Sequence, residues 1–138
     1  PEAAQGPHDS RAAGSVMSIG SDLQSIAELR KKPGLLGNRA VLTPYERAYC
    51  EQKRDPWSTL GGILCAKEAC LKALAALAST PRITFHDLEI RHAENGSPVL
   101  HPGARLAPWL ETAGIGIRVS ISHSGDYAMA TAVAAPLT

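Results

Sequence analysis

The sequence contains 138 residues, of which 44% are hydrophobic and 4% aromatic, and its formal net charge is +1 at pH 7. This length suits one domain with its own core, and the hydrophobic content excludes a chain that is disordered throughout. The small net charge argues against a nucleic-acid binder driven by bulk charge. No apolar run is long enough to span a membrane and no secretory signal is visible, so we expect a cytoplasmic protein that binds neither nucleic acid nor membrane.

The first segment is rich in Ala, Gly, Pro and polar residues and has no periodicity. It predicts a flexible tail over residues 1–15, followed by a single domain over residues 16–138. The tail leaves open that the domain was cut from a longer polypeptide. Residues 16–20 predict a short strand, and the apolar spacing over residues 22–32 predicts a helix that Pro33 ends.

Two further helices have clear start signals. Thr43 and Glu46 have the spacing of a capping box, which predicts a helix that runs to about Gln52. The longest helix is predicted from Ser58 to about Ala78, with an apolar stripe along one face. The cysteines are interpreted as small buried or half-buried thiols of a reducing compartment, since no zinc-type spacing is present; they are Cys50, Cys65 and Cys70.

The second half of the chain predicts two strand pairs. Residues 88–92 and 98–100 flank an Asn-Gly step, which is a strong hairpin signal. A short helix over residues 106–113 follows, and residues 116–122 and 127–134 form a final pair. Because helices and antiparallel strand pairs are mixed, the sequence predicts an α+β domain in which a mixed or antiparallel sheet packs on a long central helix.

Glu68 and Lys72 lie one turn apart on the predicted central helix and share a face. Taken alone, such a pair is most often a solvated ion pair of small energetic weight. The functional alternative is a carboxylate for a divalent cation beside an ammonium for phosphate oxygens. Asp22 follows the first predicted strand and could cap the next helix. With Glu68 it would also supply the two carboxylates that Mg²⁺ commonly takes from a protein.

His123 follows Ser122 at the predicted end of a strand. A lone histidine in a turn is usually structural, and no serine-hydrolase elbow is present. A phosphate contact from Ser122 and His123 fits the neighbouring candidates better. The basic run over residues 30–32 is explained either by compensation of the helix dipole or by docking of an acidic protein. The remaining histidines follow no metal-ligand spacing and are interpreted as surface or structural: His8, His86, His92 and His101.

Five short motifs in this order resemble the holo-acyl-carrier-protein synthase type of 4′-phosphopantetheinyl transferase, over about residues 17–134. They are Gly20-Ser21-Asp22, Thr43-Pro44-Tyr45-Glu46, Ala66 through Ala73, Gly96-Ser97-Pro98 and Ser120 through His123. One departure is that Ile63 and Leu64 stand where many relatives have an arginine and an aromatic residue.

The resemblance implies an enzyme that transfers 4′-phosphopantetheine from coenzyme A to a serine of an apo acyl carrier protein of fatty-acid or polyketide synthesis, releasing adenosine 3′,5′-bisphosphate. Asp22 and Glu68 would bind Mg²⁺, Lys72 would contact phosphate, and Glu68 would accept the serine proton directly or through bound water. The turn from Gly96 to Pro98 would lie near the adenine, with Ser122 and His123 near the nucleotide phosphates.

The resemblance also implies a homotrimer with its sites between subunits. Two other hypotheses are kept beside the transferase. One is a catalytically silent relative that serves as a coenzyme A-binding or oligomerisation module. The other is an unrelated metal-dependent hydrolase of nucleotide pyrophosphates.

Overall fold

The computed structural model describes residues 16–137, so the predicted tail over residues 1–15 lies outside the described residues. The strands are β1 (Ser18–Ser25), β2 (Leu88–His92), β3 (Pro98–Pro102), β4 (Ile115–Ser124) and β5 (Tyr127–Pro136). The helices are α1 (Ile26–Arg30), α2 (Pro44–Glu51), α3 (Pro56–Ala75) and α4 (Ala107–Ala113). Between residues 16 and 137, no helix is both long and apolar enough to cross a membrane.

The described strands form one antiparallel sheet in the order β1-β5-β4 and a separate β2-β3 hairpin. In the larger sheet Asp22 lies opposite Ala130, and Ile121 lies opposite the same residue from the other side. In the hairpin Ile90 lies opposite Leu100, and Gly96 has the positive φ of 89° that the predicted turn requires. The predicted α+β class, with antiparallel strands around a long central helix, is confirmed.

The core lies between α3 and the inner face of the larger sheet. The central strand presents small side chains to the helix, which lets the helix and the sheet approach closely. These fully buried residues are Ala128, Ala130, Ala132 and Ala134. On the helix, Leu60, Ile63 and Leu74 are at most 1% exposed. The helix therefore spans the centre of the molecule and contacts both sheets.

The closest approach between strand and helix is at Gly20. A Cβ atom added there would lie 2.2 Å from the carbonyl oxygen of Ala69 and 2.7 Å from the amide nitrogen of Ala73. Both are backbone atoms of α3, so neither can move without shifting the helix. The Ser18 hydroxyl donates to the carbonyl of Ala73 at 2.5 Å, which fixes the same crossing. Only glycine allows β1 to lie this close to α3.

The predicted boundary between the first strand and helix is wrong. β1 continues to Ser25, so Asp22 lies within the strand and does not cap the next helix. Ser25 is the N-cap, and its hydroxyl accepts from the amide of Glu28. The eight residues of β1 pair along β5, and this long-range pairing outweighs the helical spacing that begins at Asp22.

The predicted bounds of the long helix are shifted at both ends. It begins two residues earlier because Asp55 is its N-cap and Pro56 occupies the first turn. It ends at Ala75, before the predicted Ala78, because the Thr80 hydroxyl donates to the carbonyl of Leu74 and thereby takes an acceptor from the last turn. The capping box of Thr43 and Glu46 is confirmed.

A buried ion pair joins α2, α3 and the hairpin. Lys67 and Glu46 have fully buried side chains, and Nζ lies 2.8 Å from Oε1. The ammonium also donates to the carbonyl of Phe85 at 2.6 Å, while Oε2 of Glu46 accepts from the amide of Ile90 at 2.6 Å. Burial lowers the pKa of Lys67, and the Glu46 carboxylate opposes that shift. Lys67 lies among the buried residues of α3, and the apolar periodicity of that helix explains its burial but not its partner.

We expect Gly20→Ala to destabilise the fold by about 3 kcal/mol, because the new methyl group overlaps backbone atoms that cannot relax locally. The measurement is the free energy of unfolding from urea titration. Gly34→Ala is the matched control, since a Cβ atom at Gly34 meets nothing within 4 Å. Equal stability of the two variants would contradict the close crossing of β1 and α3.

Candidate active site

Three of the predicted site residues meet where β1 crosses α3. The Lys72 ammonium lies 2.9 Å from the carbonyl oxygen of Ser21 and 3.5 Å from Oδ1 of Asp22. Oδ2 of Asp22 accepts from the Gln24 amide at 2.9 Å. Asp22 faces the helix because its cross-strand neighbour Ala130 is buried. The bond between strand and helix therefore joins residues that are 50 positions apart in sequence.

Glu68 belongs to the same group. Burial, together with the nearby carboxylates of Asp22 and Glu68, raises the pKa of the Cys65 thiol to about 12. Both carboxylates therefore lie close to one buried thiol. Cys65 stays protonated and donates to the carbonyl of Ala128 at 3.2 Å. The interpretation of the cysteines as buried thiols is confirmed, since Cys50 and Cys70 are also free and buried.

Glu68 is half-buried and makes no hydrogen bond or ion pair with any residue between 16 and 137. The Asp22 side chain is 15% exposed. Within the described range, no three His, Cys, Asp or Glu side chains are arranged to enclose a metal ion. Two carboxylates beside one ammonium nevertheless fit a divalent cation that takes its other ligands from water and from a phosphate.

A second group of predicted residues lines a pocket of about 350 Å³ between α2, α3, the β2-β3 hairpin and β4. Gly96 and Pro98 come from the hairpin and His123 comes from β4. Asp22, Glu68 and Lys72 are not among its lining residues. The structure therefore separates the predicted residues into a carboxylate cluster, formed by Asp22, Glu68 and Lys72, and this pocket.

The ring of His123 has a defined orientation. Its Nε2 lies 2.9 Å from the carbonyl oxygen of Ser58, which can only accept a hydrogen bond, so Nε2 carries a proton. The ring packs on Gly62, where an added Cβ atom would lie 3.1 Å from Cε1 of the imidazole. A phosphate oxygen is also only an acceptor. A phosphate contact through Nδ1 would therefore require the doubly protonated ring.

Residues that the sequence analysis missed complete the pocket. Tyr49 and His92 stack with ring centroids 4.1 Å apart and an interplanar angle of 3°, and the Lys53 ammonium lies 4.4 Å from the Tyr49 centroid. Burial, and then the charge of Lys53, lowers the pKa of His92. Its buried Nδ1 has no hydrogen-bond partner among the described residues. No local motif marks these side chains, because they converge from separate elements.

Ser122 is not among the lining residues of this pocket, although Ser122 and His123 both line a smaller pocket beside Leu23 and Met129. The two residues alternate along β4, and their cross-strand neighbours are Met129, which is exposed, and Ala128, which is buried. Ser122 therefore lies on the outer face of the sheet. Ile63, at the first position of the noted departure, lines the pocket and is buried. The aromatic ring of this pocket is instead that of Tyr49 on α2, and its positive charge is that of Lys53, which follows α2.

Two residues of the basic run at the end of α1 form ion pairs. Arg30 contacts both oxygens of Asp55, at 3.1 and 2.9 Å, and Lys31 pairs with Glu28 at 3.0 Å. Lys31 and Lys32 are exposed. The run thus contributes both to holding α1 and to a basic surface.

Comparison with known proteins identifies the family of this chain. Residues 18–132 match the family described as the 4′-phosphopantetheinyl transferase superfamily. The holo-[acyl-carrier-protein] synthase of Caldanaerobacter subterraneus subsp. tengcongensis is 33% identical over 121 residues, which cover 84% of this chain and 92% of that protein.

Solved structures agree as well. The ACPS–coenzyme A complex of Chronobacterium ammoniagenes superposes with a TM-score of 0.75 at 26% identity and covers 88% of this chain and 98% of that one. The holo-[acyl-carrier-protein] synthase of Neisseria meningitidis gives a TM-score of 0.70 at 32% identity, with 85% and 96% coverage.

The family match covers most of the chain, and the α+β fold agrees with it. The chain therefore belongs to the 4′-phosphopantetheinyl transferase superfamily. Within that superfamily it is of the holo-[acyl-carrier-protein] synthase type. The family resemblance noted in the sequence is thereby confirmed.

Proposed function

We propose that the protein transfers 4′-phosphopantetheine from coenzyme A to a serine hydroxyl of an apo acyl carrier protein of fatty-acid or polyketide synthesis. The observation that carries this proposal is the meeting of Asp22, Glu68 and Lys72 at the crossing of β1 and α3. Two carboxylates and one ammonium are the side chains that a pyrophosphate-cleaving transfer needs for charge neutralisation. The synthase names of the relatives support the same reaction.

Asp22 and Glu68 are the residues that would hold Mg²⁺. Their hard oxygen ligands fit this ion, and the half-buried Glu68 carboxylate has no partner among residues 16–137. When bound, the ion supplies charge neutralisation on the pyrophosphate of coenzyme A. The buried Cys65 thiol beside the carboxylates remains protonated and does not compete as a soft ligand.

In the proposed transfer one bond to phosphorus forms and one breaks, and no covalent enzyme intermediate is needed. The serine oxygen of the carrier bonds to the phosphorus that bears pantetheine, and the bond from that phosphorus to the bridging oxygen breaks. Adenosine 3′,5′-bisphosphate leaves with the bridging oxygen, and the Lys72 ammonium stabilises its developing charge. The Glu68 carboxylate accepts the serine proton.

The pocket beside His123 is our candidate for the nucleotide end of coenzyme A. Gly96 and Pro98 supply a wall for the adenine, and Lys53 supplies a positive charge for phosphate beside the ring of His123. The volume of about 350 Å³ is that of a small-molecule site. Relatives named as coenzyme A complexes support coenzyme A as a substrate of this protein.

The carrier protein is expected to dock at α1. Acyl carrier proteins are acidic, and Lys31 and Lys32 give this edge of the molecule an exposed basic surface. Charge complementarity of this kind chiefly raises the association rate and makes it sensitive to salt.

The decisive experiment is intact-mass spectrometry of an apo acyl carrier protein incubated with this protein, coenzyme A and Mg²⁺. We expect the carrier to gain one phosphopantetheinyl group, and Glu68→Gln to slow the reaction on the order of a hundredfold or more, because it removes both a metal ligand and the proton acceptor. Glu111→Gln, on the exposed face of α4, is the matched control and should react normally.

The competing hypotheses give different results. Coenzyme A binding without any modification of several carriers would indicate a catalytically silent module. Release of phosphopantetheine to water, with no carrier modified, would indicate a pyrophosphate hydrolase.

We further propose that the protein assembles as a homotrimer through the outer face of the three-stranded sheet. This face carries exposed apolar side chains of β1 and β5, and Leu23 lies directly opposite Met129. The members are Ile19 at 67%, Leu23 at 62%, Tyr127 at 52% and Met129 at 42% exposure. An apolar patch of this kind commonly marks a protein–protein interface. Ser122 lies on the same face, so assembly would bring it toward a neighbouring protomer.

Light scattering after size-exclusion chromatography should give the mass of three chains for the unmodified protein. Met129→Lys should give a monomer with little transfer activity, because it buries a charge in the proposed interface. Val99→Lys is the control, since Val99 is 48% exposed but lies on the hairpin. A monomeric unmodified protein with full activity would contradict the trimer.

A further inference from the structure

The turn between β4 and β5 bonds to the start of α1 through one residue. Asp126 accepts hydrogen bonds from the amide of Ala27 at Oδ1, 2.8 Å, and from the hydroxyl of Ser25 at Oδ2, 2.5 Å. Its main-chain carbonyl accepts from the amide of Ile26 at 2.8 Å. Three consecutive residues at the helix start are therefore held by a residue about 100 positions away in sequence.

This attachment matters because α1 has only five residues. A helix of that length is not stable by itself in water and depends on contacts with the rest of the fold. Ser25 relays the contact, since its hydroxyl accepts from the Glu28 amide at 3.2 Å while donating to Asp126. A carboxylate at this end also offsets the unpaired amides and the positive end of the helix dipole.

The other end of α1 is fixed separately. Arg30 contacts both carboxylate oxygens of Asp55, which is the N-cap of α3. Between the two ends, Ile26 and Leu29 are buried, and both lie close to Gly61 of α3. The buried side chains and Arg30 attach α1 to α3. Asp126 provides a separate hydrogen-bonded attachment to the β4-β5 turn.

The β4-β5 turn is also connected to the nucleotide pocket. His123, which lines the pocket, lies three residues before Asp126 on the same hairpin. The basic residues Lys31 and Lys32 directly follow α1. One short segment therefore joins the wall of the pocket to the proposed carrier-docking surface, and Gly125 allows its tight geometry with a φ of 56°.

We propose that Asp126 is a positioning residue for carrier recognition. It holds α1 at a fixed position relative to the pocket, so that a carrier docked on the basic surface directs its serine toward the bound coenzyme A. The inference rests on the proposed function, and it concerns the carrier only. Asp126 itself touches neither substrate.

Steady-state kinetics with Asp126→Ala tests this role. We expect the KM for the carrier to rise about tenfold, the scale of losing one helix-capping interaction, while the Kd for coenzyme A from isothermal titration stays within about twofold. Asp126→Asn should restore much of the loss, because its amide oxygen can still accept from Ala27. Glu111→Ala is the matched control.

A double variant adds a readout specific to the attachment of α1 to Asp126. Ser25→Ala removes the hydroxyl that donates to Asp126 and also the cap on the Glu28 amide, so the carrier KM of the double variant should rise by less than the product of the two single-variant increases. An unchanged carrier KM in Asp126→Ala would overturn the inference. So would a parallel loss of thermal stability, coenzyme A affinity and kcat, which indicates a merely structural residue. If the unmodified protein fails to modify any carrier, the proposed function fails, and the inference fails with it.

Discussion

The arrangement of the candidate active site depends on the close contact between Gly20 and the backbone of α3. Because the strand touches the helix there without an intervening side chain, Asp22 lies within reach of Lys72 and shares the surroundings of Cys65 with Glu68. A larger residue at Gly20 would push β1 outward and separate the carboxylate of Asp22 on the strand from that of Glu68 on the helix. The glycine is therefore a packing requirement with a direct chemical consequence.

The buried pair of Lys67 and Glu46 has the corresponding role on the other side of α3. It bonds the helix to the start of α2 and, through the amide of Ile90, to the hairpin that forms one wall of the pocket. Removing one member would leave a charge without a partner in the core, which costs about 3–5 kcal/mol. Lys67 precedes Glu68 directly, so the same turn of α3 fixes the pocket wall on one face and presents the carboxylate on another.

Local signals predicted most of the architecture. The capping box at Thr43 and the Asn-Gly turn before Ser97 each depend on a few neighbouring residues, and each is where the sequence indicated it, as is the final strand pair. The first strand was predicted too short, since pairing with β5 continues it through Asp22 to Ser25. That pairing joins residues more than 100 positions apart, and no local pattern reports it.

The candidate site likewise combines residues that the sequence predicted with contacts that depend on tertiary packing. Asp22, Glu68 and Lys72 were proposed from residue type and motif, and their meeting in space agrees with that proposal. The stack of Tyr49 on His92, the charge of Lys53 above it and the attachment of α1 to Asp126 arise only from tertiary packing. Ser122 shows the limit of motif reasoning, because strand alternation turns it away from its neighbour His123.

We propose that the crossing of β1 and α3 creates a cation site at Asp22 and Glu68. The most direct measurement is a crystal structure of the protein with coenzyme A and Mn²⁺, in which anomalous scattering locates the metal. The account predicts one strong peak bound by the carboxylates of Asp22 and Glu68 and by the pyrophosphate of coenzyme A. Well-ordered coenzyme A with no peak at these carboxylates, or with the metal bound by other residues, would contradict it.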